Sequence, residues 1–158
     1  EIFAFKLPGI HFIITMTDFL GTQFKTKNGQ ANVLEGKQLI GIYFSAHWCP
    51  PCRGFTPILG QVYDEVKDND ETTLEIIFVS SDQNEQQFND YFATMPWAAI
   101  PFGDDRIQQL KQKYGVTGIP FLVIITPDGK VVSTEGRTEV QQEGAGAVDN
   151  WLAKKASA

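Results

Sequence analysis

Pro50 and Pro51, framed by the chain's two cysteines, Cys49 and Cys52, stand close behind a nearly continuous apolar run at 39–44, and this junction constrains the fold more than any other stretch. An apolar run rich in Ile and aromatics, without alternation, is the pattern of a central strand covered on both faces. Proline suits the first turn of a helix, where its fixed φ fits and its missing N–H is not needed. The spacing therefore predicts a strand that gives way to a helix over 50–67. Pro57 lies inside that helix, cannot donate to the Arg53 carbonyl, and is expected to kink it.

The rest of the chain continues the alternation. A second apolar run, 74–79, ends at Ser80-Ser81-Asp82 and leads into a helix at 85–92. A further helix is predicted at 104–113, capped near Gly103-Asp104 and closed by Gly115. Nearer the N-terminus, 23–33 alternates around Lys27-Asn28-Gly29 and reads as a hairpin with Asn-Gly at its bend. Strands at 121–125 and 130–133 flank a turn at Pro127-Asp128-Gly129, and a last helix at 145–155 would dock Trp151 and Leu152. This order indicates an α/β fold, a central mixed β-sheet flanked by helices on both faces, with an N-terminal hairpin.

With 158 residues, 42% of them hydrophobic and twelve of them Phe, the chain can bury one core. We read 17–158 as one domain. Residues 1–16 are read as an N-terminal extension, native or an artefact, because Met16-Thr17-Asp18 could be a translation start. The apolar opening contains Lys6, Pro8, Gly9 and His11, lacks a basic start, and does not read as a signal peptide. No apolar run reaches the roughly 18 residues of a membrane span. The net charge of -6 is scattered and offers no basic surface for nucleic acid.

Two cysteines three positions apart suit chemistry better than a disulfide scaffold, which needs several at wider spacing. Disulfide exchange needs one attacking thiolate and a second thiol near enough to resolve the mixed disulfide. With Cys49 at the N-cap and Cys52 at the third helical position, both sulfurs lie on one side of the first turn. Because Pro50 and Pro51 lack N–H groups, the first donors available to the Cys49 sulfur are those of Cys52 and Arg53, and the helix dipole adds to their effect. Cys49 is thus the candidate exposed nucleophile and Cys52 the resolving thiol. Two other readings stand beside this one. Half a zinc site would need four ligands, with His11 and His47 the only histidines. A structural disulfide would close a loop too short to stabilise much.

The run from Phe44 through Trp48-Cys49-Pro50-Pro51-Cys52 to Pro57 resembles the active-site segment of the nucleoredoxin and tryparedoxin branch of the thioredoxin superfamily. Three later segments agree in order: Ile77-Phe78-Val79-Ser80-Ser81-Asp82, Met95-Pro96-Trp97-Ala98-Ala99-Ile100-Pro101-Phe102, and Tyr114-Gly115-Val116-Thr117-Gly118-Ile119-Pro120. The likeness covers about 18–136, and Ser80-Ser81 looks closer to nucleoredoxin. It implies a thioredoxin-like fold, Trp48 as a flat surface for substrate docking, and Pro120 as a cis-proline facing the disulfide. The Ile119 backbone would then pair with an extended substrate segment. From the residues alone, Ile119-Pro120 need only be a turn before a strand.

Thioredoxin keeps a buried aspartate six residues before its nucleophile, where this chain has Tyr43, so proton transfer from Cys52 needs another group. Asp82 is a candidate base or water anchor; its alternative is an N-cap for the next helix. His47, if protonated, would favour the Cys49 thiolate; its alternative is a solvated side chain. Trp97 is read as packing. Arg53 and Arg137 are candidates to meet an acidic substrate group, or plain surface charges.

The resemblance implies a protein-disulfide reductase without bound cofactor or metal, monomeric, cytoplasmic and also nuclear. It would pass electrons from a reductase or a low-molecular-weight dithiol to oxidised proteins, peroxiredoxin-like or signalling. Competing functions are a redox-gated protein-binding module of nucleoredoxin type and a periplasmic or secreted thiol reductase of the cytochrome-maturation type.

Overall fold

The computed structural model describes residues 2–7, 10–15 and 19–157. The expected boundary at Met16-Thr17-Asp18 lies outside the described residues. Strands β1 (Ile2–Leu7) and β2 (Ile10–Thr15) pair antiparallel as a sheet of their own, a hairpin that the sequence reading left unassigned.

The main sheet has seven strands in the order β4-β3-β7-β6-β5-β8-β9. Its centre is β5 (Leu39–Ser45), parallel to β6 (Leu74–Ser80) and antiparallel to β8 (Phe121–Ile125). All seven residues of β5 and all seven of β6 are buried, as unalternating apolar strands require. Around them lie β3 (Phe24–Thr26), β4 (Gly29–Ala31), β7 (Ala98–Ala99) and β9 (Val131–Ser133). The sheet is mixed, as expected.

Strand alternation sorts the side chains into two cores. On one face Tyr43, Phe78 and Leu122 pack with α1 (Pro50–Asn69), α2 (Glu85–Phe92), α4 (Gly136–Glu143) and α5 (Gly146–Ser157). On the other face Ile42, Ile77 and Val123 pack with Ile107 and Leu110 of α3 (Arg106–Lys113). Helices therefore cover both faces. Gly115 ends α3 at φ 61, where Val116 N–H reaches Lys111 O at 2.9 Å and Gly115 N–H reaches Gln112 O at 3.2 Å. These two bonds form the glycine-based stop that the sequence indicated.

Several local expectations need correction. The bend of the β3–β4 hairpin is Lys27-Asn28, and Gly29 opens β4 at φ 118. Among the described residues only glycines take positive φ, so the two-residue turn keeps ordinary backbone and passes the strained position to Gly29. Helix α1 runs two residues beyond the expected end, to Asn69, with Pro57 inside it as expected. The cap of α2 is Asn84, whose side chain accepts from Gln87 N–H at 2.9 Å, and not Asp82. Strand β7 and helix α4 were not anticipated at all. The first residue of α4 lies against β8: a Cβ on Gly136 would come within 2.7 Å of Leu122 O.

Candidate active site

Parallel strands β5 and β6 end level with one another, Ser45 opposite Ser80, and the segment after each reaches the other. Cys49 occupies the N-cap of α1 with extended backbone, φ -97 and ψ 107. Cys52 N–H donates to its Sγ at 3.4 Å. Arg53 N–H, which the sequence reading offered to the same sulfur, instead reaches Cys49 O at 3.1 Å. One backbone donor serves the sulfur. Cys49 and Cys52 are joined as a disulfide, with Cα atoms 5.2 Å apart. Cys52 is wholly buried and Cys49 is 5% exposed, so the expected exposed nucleophile shows only an edge to solvent.

That edge is roofed by the segment before β8. Ile119 O lies 3.8 Å from Cys49 Sγ, and the Ile119–Pro120 bond is cis. The Ile119 side chain packs on Ala46, Cys49 and Cys52. Pro50 and Pro51 fill the first helical turn and are exposed beside the sulfur.

The loop before Cys49 is held by the loop after β6. Ser81 N–H donates to Ser45 O at 2.9 Å, and Trp48 Nε1–H donates to Ser81 O at 2.9 Å. The Trp48 ring, 49% exposed, is thus held by its edge with much of its surface open to a partner. Asp82 Oδ1 accepts His47 N–H at 2.7 Å, while Oδ2 accepts the Ser80 hydroxyl at 2.7 Å. Both oxygens of Asp82 are committed to holding the loop. His47 is not a freely solvated side chain, because its imidazole stacks on Tyr91 with ring centres 5.4 Å apart and 14° between planes.

Beneath this rim runs a chain of four buried hydroxyls, three of which sequence reasoning missed. Tyr43 OH lies 2.7 Å from Thr56 Oγ1, Thr56 Oγ1 lies 2.6 Å from Tyr91 OH, and Tyr91 OH lies 2.7 Å from Ser45 Oγ. Burial pushes the Tyr43 phenol far above its ordinary range, so at neutral pH it is an uncharged hydrogen-bonding group. Thr56 follows Cys52 by four residues on one helix face, a spacing that could have singled it out. Tyr91 carries no such signal. Trp97 packs edge-on to Tyr43 and Tyr63, in keeping with the packing role expected of it. Arg53 is exposed on α1, and Arg137 is half-buried in the first turn of α4.

The structure thus gathers Trp48, Cys49, Pro50, Pro51, Cys52, Ile119 and Pro120 at one point, with His47 and Asp82 bracing it and Tyr43 in the layer below. Residues 36–131 match the family model described as thioredoxin-like. The chain belongs to the thioredoxin-like family. Mouse nucleoredoxin is 46% identical over 117 residues, covering 72% of this chain and 26% of that protein. Tryparedoxin of Trypanosoma brucei brucei is 41% identical over 135 residues, covering 82% of this chain and 91% of the relative. The crystal structure of native tryparedoxin I from Crithidia fasciculata superposes with a TM-score of 0.76 at 36% identity, covering 83% of this chain and 93% of that one. This thioredoxin-like chain spans about a quarter of the nucleoredoxins it matches and most of the tryparedoxins. The pair Cys49 and Cys52, joined as a disulfide, lies within the residues that match the family model.

Proposed function

We propose that this thioredoxin-like chain reduces disulfides of oxidised proteins, with Cys49 as nucleophile and Cys52 as resolving thiol. The observation that carries the reading is the Cys49–Cys52 disulfide at the N-cap of α1, with Cys49 keeping a small exposed edge and Cys52 wholly buried. In the dithiol state the Cys52 N–H and the helix dipole favour the Cys49 thiolate. The thiolate attacks one sulfur of the substrate disulfide, forming a mixed disulfide and releasing the other substrate sulfur as a thiolate that takes up a proton. Cys52 then loses its proton and attacks Cys49 Sγ. The Cys49–Cys52 disulfide forms, the second substrate thiol leaves, and two electrons have passed to the substrate. A reductase or a low-molecular-weight dithiol restores the pair by the reverse exchange.

The remaining residues take supporting roles in this scheme. Trp48 offers its open surface to the substrate, and the Ile119 backbone, beside Pro120, pairs with the segment around the substrate cysteine. Pro50 and Pro51 keep the first turn free of competing donors. His47, when protonated, adds positive charge near the thiolate, while Asp82 fixes the loop that carries it. Tyr43 is an uncharged hydroxyl hydrogen-bonded to Thr56, one turn after Cys52. Protein substrates, a cytoplasmic and nuclear setting and action as a monomer belong to the same proposal, by resemblance to this family. Among the described residues no helix is long and apolar enough to cross a membrane.

Turbidity during insulin reduction by dithiothreitol tests the reading. Wild type should accelerate precipitation, and Cys49→Ser should lose the acceleration. Failure of folded, reduced wild type to accelerate would overturn it in favour of a redox-gated binding module.

A further inference from the structure

Beside the disulfide an open groove of about 650 Å³ runs between α1 and the end of α2 with its following loop. One wall is a stripe of α1, with Arg53, Pro57, Gly60 and Asp64 recurring every three to four residues; the other includes Tyr91, Met95 and Pro96. His47 closes the end nearest the disulfide, held there by its stack on Tyr91. The rise of an α-helix puts Arg53 and Asp64 about 16 Å apart along this wall. An extended chain covers that distance in about five residues.

The two ends differ in sign. Arg53 and His47 put cationic or proton-accepting nitrogen at the end beside Cys49 and Cys52, whereas Asp64 puts a carboxylate at the far end. Among the described residues neither the Arg53 nor the Asp64 side chain makes an ion pair or a hydrogen bond. Between them Pro57, Gly60, Met95 and Pro96 offer a largely uncharged floor. The polarity of the groove runs with the dipole of α1, positive at the end beside the cysteines and negative toward the helix C-terminus, so side chains and backbone favour the same orientation of a ligand.

We propose that this groove selects among disulfide substrates by holding an extended segment with an acidic residue next to the substrate cysteine and a basic residue about five positions farther on. Apolar side chains between the two lie on the floor. The selection rests on the disulfide-reductase reading, because the groove is useful only to a segment whose cysteine is already at Cys49. Each exposed charge pair contributes about a two- to fivefold preference.

The test uses reduced full-length chain and synthetic peptides whose single cysteine carries a chromogenic aromatic thiol in disulfide linkage, so that its release is read by absorbance. One peptide has glutamate beside the cysteine and lysine five residues beyond it; its counterpart has the two charges exchanged, and both are made in each chain direction. Wild type is expected to react about fivefold faster with the glutamate-first peptide in one direction, and the ratio should fall toward one at high salt. Arg53→Glu combined with Asp64→Lys should reverse the ratio. A wild-type ratio within twofold of one in both directions overturns the proposal, as does a ratio that salt and the double substitution leave unchanged. Wild-type reduction of a small symmetrical aromatic disulfide, too short to span the groove, separates the two readings. No reaction there defeats the reductase reading itself, whereas reaction without peptide preference defeats only the groove.

Discussion

Cys49 receives a single backbone donor because two prolines separate it from Cys52, and Arg53 N–H is spent on the Cys49 carbonyl. The second sulfur is wholly buried, so it meets a substrate only through the first. Replacing Cys52 with Ala should therefore leave a mixed disulfide on Cys49 unresolved; intact-mass measurement after mixing with a disulfide substrate should show the covalent adduct, and a free chain would count against the assigned roles. Asp82 has a different task. Its carboxylate takes the His47 N–H and the Ser80 hydroxyl, and Asp82→Ala strands both. The expected loss is about 1–3 kcal/mol in urea unfolding. Tyr91→Phe keeps the ring under His47 but removes the hydroxyl between Thr56 and Ser45. Its cost should be about 1–2 kcal/mol by the same measurement.

Helix α4 shows how an element can depend on its neighbour. It begins at Gly136, where the backbone comes so close to β8 that a Cβ would stand 2.7 Å from Leu122 O and 2.8 Å from Leu122 Cγ. Gly136→Ala cannot be accommodated by a side-chain rotation, since the first clash is with backbone. Unfolding should be easier by about 1–3 kcal/mol, although alanine is the better helix former. Helix α2 depends instead on its own cap. Asn84→Ala removes the acceptor of Gln87 N–H and should cost about 1 kcal/mol.

At the scale of the whole molecule, Glu75 is a carboxyl buried in the central sheet, 5% exposed in β6. Tyr63 OH and Ile76 N–H donate to its Oε1 at 2.8 and 3.1 Å, and Lys37 Nζ stands 3.9 Å from Oε2. Burial outweighs these partners and holds the carboxyl above its ordinary pKa of 4.5. The folded chain therefore keeps this proton more tightly than the unfolded chain does. The stabilising contribution is fully present below about 4.5 and is lost as pH rises through the higher folded value. Glu75→Gln should thus gain stability relative to wild type as pH is raised from 4 to 7, measured as the difference in urea midpoint; a constant difference would contradict the assignment.

The unalternating runs at 39–44 and 74–79, the Pro-Pro helix start and Gly115 carried the α/β fold and the position of the cysteine pair in local chemistry, because strand burial, proline geometry and glycine caps act over a few residues. The family likeness extended this to Trp48, Ile119 and Pro120. Strand β7 is only two alanines long, and α4 needs the close approach to β8 that Gly136 permits, so neither has a local signature strong enough to read. Asp82 lies 35 residues from the N–H it accepts, and Tyr91 lies 46 and 35 residues from the hydroxyls it joins. Only the packing of β5 beside β6 and of α2 over α1 brings those groups within hydrogen-bond reach. The sequence alone determined which residues could exchange disulfides and on what kind of scaffold; the tertiary structure decided which buried groups brace them, since those partnerships depend on distances that local patterns do not encode.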